Sequence, residues 1–314
     1  MLNFKGTAAG IMKNIIIKSI LILLIPFLSL YAQSAGKTGL SFLKFGFGAR
    51  NIAMGDAGAA GSRDVTSLFY NPSKLPLVAG TEFMFMHNEW IQDVRSELIG
   101  VKFDLLGLPL GVGFNVTTIG NIEVRSGAVP EPESTFDAHY FFGSLSTGFN
   151  ITDNISAGGS IKYLYEGMLV DESTGLGFDI GLNYFTPLQG LSVSAAVRNL
   201  GSMNKLREEE TKLPSEFRIG PAYNFILNDS KFEIGAAAEL QKYFEVDDIH
   251  LNFGAEVVYN NLIALRGGYQ SGYESKNFTG GLGLKWGSLS FDYALSPFSF
   301  GLGSGHSVSL NFKF

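Results

Sequence analysis

The sequence predicts an all-β protein, a fourteen-stranded antiparallel barrel that crosses a membrane and carries an N-terminal segment as a plug in its lumen. Three observations predict it. Apolar and polar residues alternate at period two over most of Thr81 to Phe314. The alternating segments run about ten residues, the length a tilted strand needs to cross the hydrocarbon. The connections between them alternate between short and long. Composition agrees, because only 17% of the 314 residues are charged, against roughly a quarter in an ordinary soluble domain, while 39 are Gly and 27 are Phe.

Residues 1–32 read as a secretory signal peptide. Lys13 and Lys18 precede the apolar run from Ile20 to Leu30, and Ala32 closes it with a small residue before Gln33. The run is shorter than the roughly 20 apolar residues a spanning helix needs, so cleavage after Ala32 is expected rather than anchoring. Met12 is an alternative start. With no second apolar helix in the sequence, the exported chain is expected in the outer membrane once the strand pattern below is added.

Residues 33–80 are expected to form the plug, or hatch. They do not alternate, and they are rich in small residues that imply close packing, together with Phe42, Phe45, Phe47, Leu68, Phe69 and Leu75. A short helix is expected over 49–60, weakened by Gly55 and Gly58. Asp64 is suited to a cap or turn, and Asn71-Pro72 to a turn. Fourteen strands spaced ~4.8 Å and tilted ~40° close into a cylinder roughly 28 Å across. Its lumen is on the order of 6,000 Å³, which about forty closely packed residues would fill.

Residues 81–314 supply the barrel. The expected strands are 81–89, 95–105, 110–120, 138–150, 155–166, 175–186, 190–199, 214–226, 231–243, 248–259, 262–271, 276–287, 288–296 and 305–314. Short turns such as Thr152-Asp153-Asn154, Asn228-Asp229-Ser230 and Asn260-Asn261 follow the even-numbered strands. Longer loops, including 121–137, 167–174, 201–213 and 297–304, follow most of the odd ones. Outer-membrane barrels keep short turns in the periplasm and long loops outside, so parity fixes the orientation. One face of each strand is Val, Ile, Leu, Phe, Tyr or Ala. The other carries Gly, Ser, Asn and the charges Lys102, Asp104, Lys162, Asp179, Arg198, Arg218, Glu233, Glu239, Glu256, Arg266, Lys285 and Asp292. Charge on the lipid face costs up to a few kcal/mol near the midplane, so the second face is the inner one.

Other function classes find little support. No Cys is present, and the net charge of −6 with no basic stripe argues against nucleic acid as a partner. His87, His139, His250 and His306 are scattered without metal-ligand spacing, and the Gly-rich stretch 301–305 lies between strands rather than opening a helix. No catalytic residue, metal or cofactor is therefore expected, and the chain reads as a non-enzyme.

Phe42-Leu43-Lys44, Gly48-Ala49-Arg50, Ala53-Met54-Gly55, Asp64 and Asn71-Pro72-Ser73 together resemble the N-terminal signature of the PorV/PorQ family of outer-membrane proteins, which is related to the FadL-type transporters. Val197-Arg198-Asn199-Leu200-Gly201 and Ala264-Leu265-Arg266-Gly267-Gly268-Tyr269 resemble that family less specifically, and Ser73 stands where its pattern has Ala. The resemblance implies a fourteen-stranded barrel with a hatch. Separately, Phe314 preceded by Phe312 and Leu310 resembles the signal by which the barrel-assembly machinery recognises its clients.

Two roles follow from it. PorV-type members act in type IX secretion, where they bind secreted cargo proteins. FadL-type members carry long-chain fatty acids or other hydrophobic small molecules. The first is the leading expectation, with outer-membrane lipid and secretion-system components as further partners. Arg50, Met54, Gly55, Asp64, Asn71 and Pro72 are the candidate hatch residues. Phe42, Phe45, Phe47, Phe69, Phe83 and Phe85 are candidates to line a hydrophobic ligand site, or simply to pack the hatch.

Overall fold

The computed structural model describes residues 36–226 and 231–314. The signal-peptide reading of 1–32 and the turn expected at Asn228-Asp229-Ser230 lie outside the described residues.

The first half of the wall comprises β1 (Glu82–Glu89), β2 (Val94–Leu105), β3 (Leu108–Val124), β4 (Ser134–Asn150), β5 (Ile155–Met168), β6 (Asp171–Phe185) and β7 (Leu191–Met203). A small hairpin follows, β8 (Lys205–Leu206) with β9 (Glu209–Glu210). The second half comprises β10 (Glu216–Ile226), β11 (Phe232–Tyr243), β12 (Ile249–Tyr259), β13 (Ile263–Ser271), β14 (Phe278–Trp286), β15 (Leu289–Pro297) and β16 (Ser304–Lys313). Leaving out the hairpin, the strands pair antiparallel with their sequence neighbours, and β1 pairs with β16 to close the barrel. Closure gives every wall strand among the described residues a partner on both sides, the condition for a sheet in lipid. Each of the fourteen segments expected from periodicity is a wall strand, its ends shifted by at most four residues.

The loops differ from expectation at one end. β3 and β4 run to 17 residues each, and β5 and β6 to 14 and 15. They exceed the roughly 9–11 residues that span a bilayer, so these hairpins continue beyond the wall. The loop expected over 167–174 is thereby reduced to the turn Leu169-Val170, because Asp171 to Thr174 pair with Tyr165 to Met168. Alternation had stopped there because neither face of a projecting hairpin meets lipid.

Along each strand buried residues alternate with exposed ones, and the exposed set is apolar: Ile161, Tyr163, Leu176, Phe178, Ile180 and Leu182 on β5 and β6 alone. The polar set is inside, with Lys102, Lys162, Asp179, Arg198, Arg218, Glu239 and Glu256 almost fully buried. They are buried because residues 39–78 lie against them. The amide of Gly39 donates to the carbonyl of Lys212, near the loop end. At the turn end, Gly80 accepts from Lys102 Nζ and the Phe314 amide donates to Thr81. Between them are single turns of helix at Ala49–Ala53, Gly58–Gly61 and Ser67–Tyr70, with a 3-10 turn at Pro72–Leu77. The helix expected over 49–60 is broken in two, since Gly55 and Asp56 adopt left-handed φ of 66° and 58°.

Candidate functional site

The candidate site is the boundary between residues 39–78 and the inner wall, and it is built from two close backbone approaches and two arginine clusters. The approaches come first because they fix where the charges meet. On β4, β5 and β6, Gly148, Gly158 and Gly181 are register neighbours and form a trough without side chains. The turn Asn71-Pro72 sits in it: a Cβ on Gly158 would lie 2.6 Å from the Pro72 carbonyl oxygen. The Asn71 side chain accepts from the Ser73 amide at 3.2 Å and donates to wall carbonyls of Leu182 and Ala195 at 3.3 and 3.4 Å. On the opposite wall Gly254 and Gly268 pair across β12 and β13 and receive Met54-Gly55. A Cβ on Gly268 would stand 2.0 Å from the Gly55 nitrogen, and one on Gly55 would stand 2.4 Å from the Phe253 carbonyl oxygen. The Gly55 amide donates to Thr279 Oγ1 at 3.1 Å.

Arg50 anchors the first charge cluster. Its guanidinium meets Glu256 through both carboxylate oxygens, at 3.1 and 2.9 Å, and donates to the Gly61 carbonyl at 3.1 Å. Glu256 also receives Arg63 at 2.7 Å and Arg266 at 2.5 Å, and Arg266 continues to Asp292 at 2.7 Å. Burial works against the Arg50 charge, but the Glu256 carboxylate outweighs it and holds the guanidinium above its ordinary range. Because Arg63 and Arg266 would still neutralise Glu256, Arg50→Ala is expected to loosen residues 39–78 while leaving the barrel intact. Hydrogen exchange over that segment should quicken severalfold at an unchanged barrel melting temperature. Identical exchange in the two proteins would rule this out.

Arg218 anchors the second cluster. It donates to the Asp56 carbonyl at 2.9 Å and the Asp56 carboxylate at 3.1 Å, and lies 3.2 Å from Glu216 and 3.4 Å from Glu239. Tyr70 donates its hydroxyl to Asp56 and accepts from the Phe47 amide at 2.8 Å. Its ring lies 5.6 Å from the Arg218 guanidinium and 5.3 Å from that of Arg198, which pairs with Glu216 at 2.6 Å. Lys74 joins the same region differently. Its Nζ is buried and donates to the carbonyls of Ala60 and Ser62, with no carboxylate in contact among the described residues. Burial lowers its pKa to about 7, against the pull of Glu239 and with the help of Arg50 and Arg63.

That shift has a sign that can be measured. Between pH about 7 and the ordinary lysine value of about 10.4, the unfolded chain holds a proton that the folded chain has released, so stability rises with pH across that window. Protection of the amides around Ala59 to Leu75, corrected for intrinsic exchange, is expected to increase from pH 7 to pH 10, and Lys74→Met should flatten the profile. An equal slope in both proteins would dismiss the lysine as its source.

The sequence-derived candidates divide. Arg50, Met54, Gly55, Asn71 and Pro72 all lie at the contacts just described. Asp64 does not reach the wall; it accepts from the Thr66 amide at 2.9 Å and, through its carbonyl, from Ser67, which opens the turn Ser67–Tyr70. Phe42, Phe47 and Phe69 are buried in one aromatic cluster with Tyr70 and Phe142, at ring separations of 5.3 to 6.1 Å. Phe45 sits higher, stacked on Trp90 at 5.1 Å. Phe83 and Phe85 are the correction: β1 presents Met84 and Met86 inward, so both phenylalanines stand on the lipid face and cannot line a lumenal site. Leu310, Phe312 and Phe314 also face outward, with the last two rings 4.6 Å apart.

Asp56, Tyr70, Lys74 and Glu216 were missed. Glu216 was readable, since it shares strand parity with Arg218. Asp56 and Tyr70 carried no period and no paired motif to mark them.

Residues 164–312, 149 of the 314, match the family model described as type IX secretion system membrane protein PorP/SprF. Among solved structures, the toluene transporter TbuX of Ralstonia pickettii superposes with a TM-score of 0.59 at 16% identity, covering 86% of this chain and 98% of that one. The toluene transporter TodX of Pseudomonas putida gives 0.58 at 13%, covering 85% and 96%. A FadL homologue of Pseudomonas aeruginosa gives 0.50 at 12%, covering 85% and 98%. The chain has the closed fourteen-stranded barrel fold of the FadL/TodX-type outer-membrane proteins. No curated protein matches it. The resemblance read from the sequence therefore has two counterparts: a secretion-family match over the C-terminal half, and this fold over nearly the whole barrel.

Proposed function

We propose that this FadL/TodX-type barrel serves protein export in type IX secretion, as a closed outer-membrane component that presents its long-loop end to secreted or partner proteins. The observation that carries the reading is the PorP/SprF match over residues 164–312. That stretch runs from within β5 into β16, and includes the arginines and carboxylates that hold residues 39–78. In this reading residues 33–80 form a hatch whose side chains fill the lumen, residues 1–32 are removed on export with cleavage near Ala32, and Leu310, Phe312 and Phe314 guide barrel assembly. A barrel closed in this way is suited to act through its rim. The hairpins β3–β4, β5–β6 and β8–β9 supply that rim. Deleting the gene is expected to deplete a set of surface and secreted proteins that share a C-terminal sorting domain. An unchanged surface proteome would remove the proposal.

One observation favours transport of hydrophobic compounds as the second reading. A hollow of about 510 Å³ opens on the outward face of β10 to β13, floored by Ala236, Ala238, Ala255 and Gly267. It lies behind the Gly254–Gly268 trough, so the wall there is little more than backbone on both sides. An unchanged proteome accompanied by slower uptake of a hydrophobic solute would turn the assignment to this reading.

A further inference from the structure

At the long-loop end, a cavity of about 290 Å³ lies between residues 41–45 and the loops that follow β11, β13 and β15. Its walls are aromatic: Phe45, Trp90, Tyr243, Tyr273 and Phe298, with the His250 imidazole. These rings are mutually braced. Phe45 stacks on Trp90 at 5.1 Å, Trp90 meets Phe298 edge-on at 5.0 Å, and His250 stacks on Tyr273 at 4.0 Å. The two loops are stitched together as well, by a hydrogen bond from the Ser299 amide to the Ser275 carbonyl at 2.7 Å. Both tyrosine hydroxyls are engaged with Gln241, at 2.8 and 3.0 Å, so both are already taken up. The tyrosines therefore offer no free hydroxyl to an occupant.

Two lysines also line this cavity, and neither has an anionic partner among the described residues. Lys44 Nζ sits 5.1 Å from the Tyr243 ring centre and Lys276 Nζ 4.2 Å from that of Tyr273, so both ammonium groups rest on ring faces. The carboxylate that Lys44 feels most, Glu216, is already bound by Arg198 and Arg218. Glu274, the carboxylate on the cavity wall, is exposed to solvent, and its charge is screened there. Burial lowers the pKa of Lys276 to about 8, the behaviour of an ammonium lacking a close counter-ion. The buried His250 Nδ1 also lacks a hydrogen-bond partner. Elsewhere in the lumen the buried arginines, together with Lys162, have each been given a carboxylate. A cation held over a ring is weakly paired, and a charged oxygen binds it more strongly.

We propose that this cavity is a binding site for a small aromatic carboxylate, its ring packed against Phe45, Trp90 and Phe298 and its carboxylate received by Lys44 and Lys276. Size sets the class. The volume falls just below the roughly 300–1,000 Å³ that holds drug-sized ligands, so the occupant is a single-ring compound rather than a long acyl chain. Charge sets the rest. A neutral hydrocarbon would leave both ammonium groups without an anion in a half-buried site, and a cationic amine would be repelled by them. The site stands apart from the export reading, because it can be tested on purified protein.

The probe is benzoate, titrated into the full chain in detergent, with Trp286→Phe leaving Trp90 as the only tryptophan reporter. Benzoate should change Trp90 fluorescence saturably, with toluene at least tenfold weaker and benzylamine inactive. Lys276→Met and Lys44→Met should each weaken benzoate at least tenfold while leaving toluene nearly unchanged, and Lys276→Arg should restore most of the loss. Absence of saturable benzoate binding would overturn the proposal. So would toluene binding as tightly as benzoate, or full affinity in a folded Lys276→Met protein. A short peptide with an aromatic C-terminal residue binding more tightly than benzoate would reassign the cavity to a protein ligand.

Discussion

Arg218→Met is expected to be the most damaging single substitution in the molecule, destabilising the closed state by about 3–5 kcal/mol, the range for breaking a buried ion pair from one side. The reason is arithmetic on one guanidinium. Asp56, Glu216 and Glu239 all converge on it, and its side chain is 1% exposed, so water cannot replace it. Glu216 keeps Arg198, while Asp56 keeps only the Tyr70 hydroxyl and Glu239 the Ala60 amide. Two carboxylates would then stay buried without a cation, or take up protons. Methionine fills the space, so the effect reports charge rather than a cavity. The measurement is thermal unfolding of the purified barrel together with hydrogen exchange over residues 39–78. Both should change, and the loss should be partly relieved in the double variant Arg218→Met, Asp56→Asn, which removes one orphaned charge. A melting temperature within a degree or two of the parent would contradict the account.

Gly268→Leu is expected to act without altering charge. The added Cβ would coincide with the Gly55 nitrogen at 2.0 Å and crowd Thr279 Oγ1 at 2.5 Å. Neither the wall backbone of β13 nor the left-handed Gly55 can move far, the first because its ladder pairs on both sides and the second because residues 49–53 are tied to β14 and β16. The turn Met54-Gly55 must therefore leave the trough and give up its hydrogen bond to Thr279. With no native Cys in the chain, a cysteine placed at Ala53 offers a clean reporter. Ala53 is fully buried, so labelling by a water-soluble maleimide should be negligible in the parent and rise at least tenfold when Gly268→Leu is added. Equal labelling in the two would mean that the trough tolerates a side chain. Gly267→Leu is the control, since the preceding residue faces outward and a Cβ there meets nothing within 4 Å.

The barrel was legible because lipid enforces it residue by residue. Ile161, Phe178 and Ile180 have to be apolar wherever the chain turns outward, and Lys162 and Asp179 are tolerable only where it turns inward, so each strand repeats the same message. The hairpins above the membrane lost that message, which is why Asp171 to Thr174 read as loop. Phe83 and Phe85 were misassigned for a related reason. By residue type they resemble the aromatics of the preceding segment, but strand parity with Val101 and Leu310 places them on the lipid side.

Within residues 39–78 the sequence marked the positions that touch glycine troughs, Met54-Gly55 and Asn71-Pro72, because turns and close approaches restrict residue type locally. It did not mark Asp56, Tyr70 or Lys74. Their importance depends on Arg218, 162 residues away from Asp56, and on carbonyls freed where one turn of helix ends. By itself, then, the sequence determined strand number, the sorting of faces and the turns of the inner segment, all enforced over a few residues by lipid or by backbone geometry. The tertiary structure alone decided which carboxylate meets which arginine, and which lysines face aromatic rings. Those pairings arise between strands distant in the chain, and nothing in a local pattern encodes them.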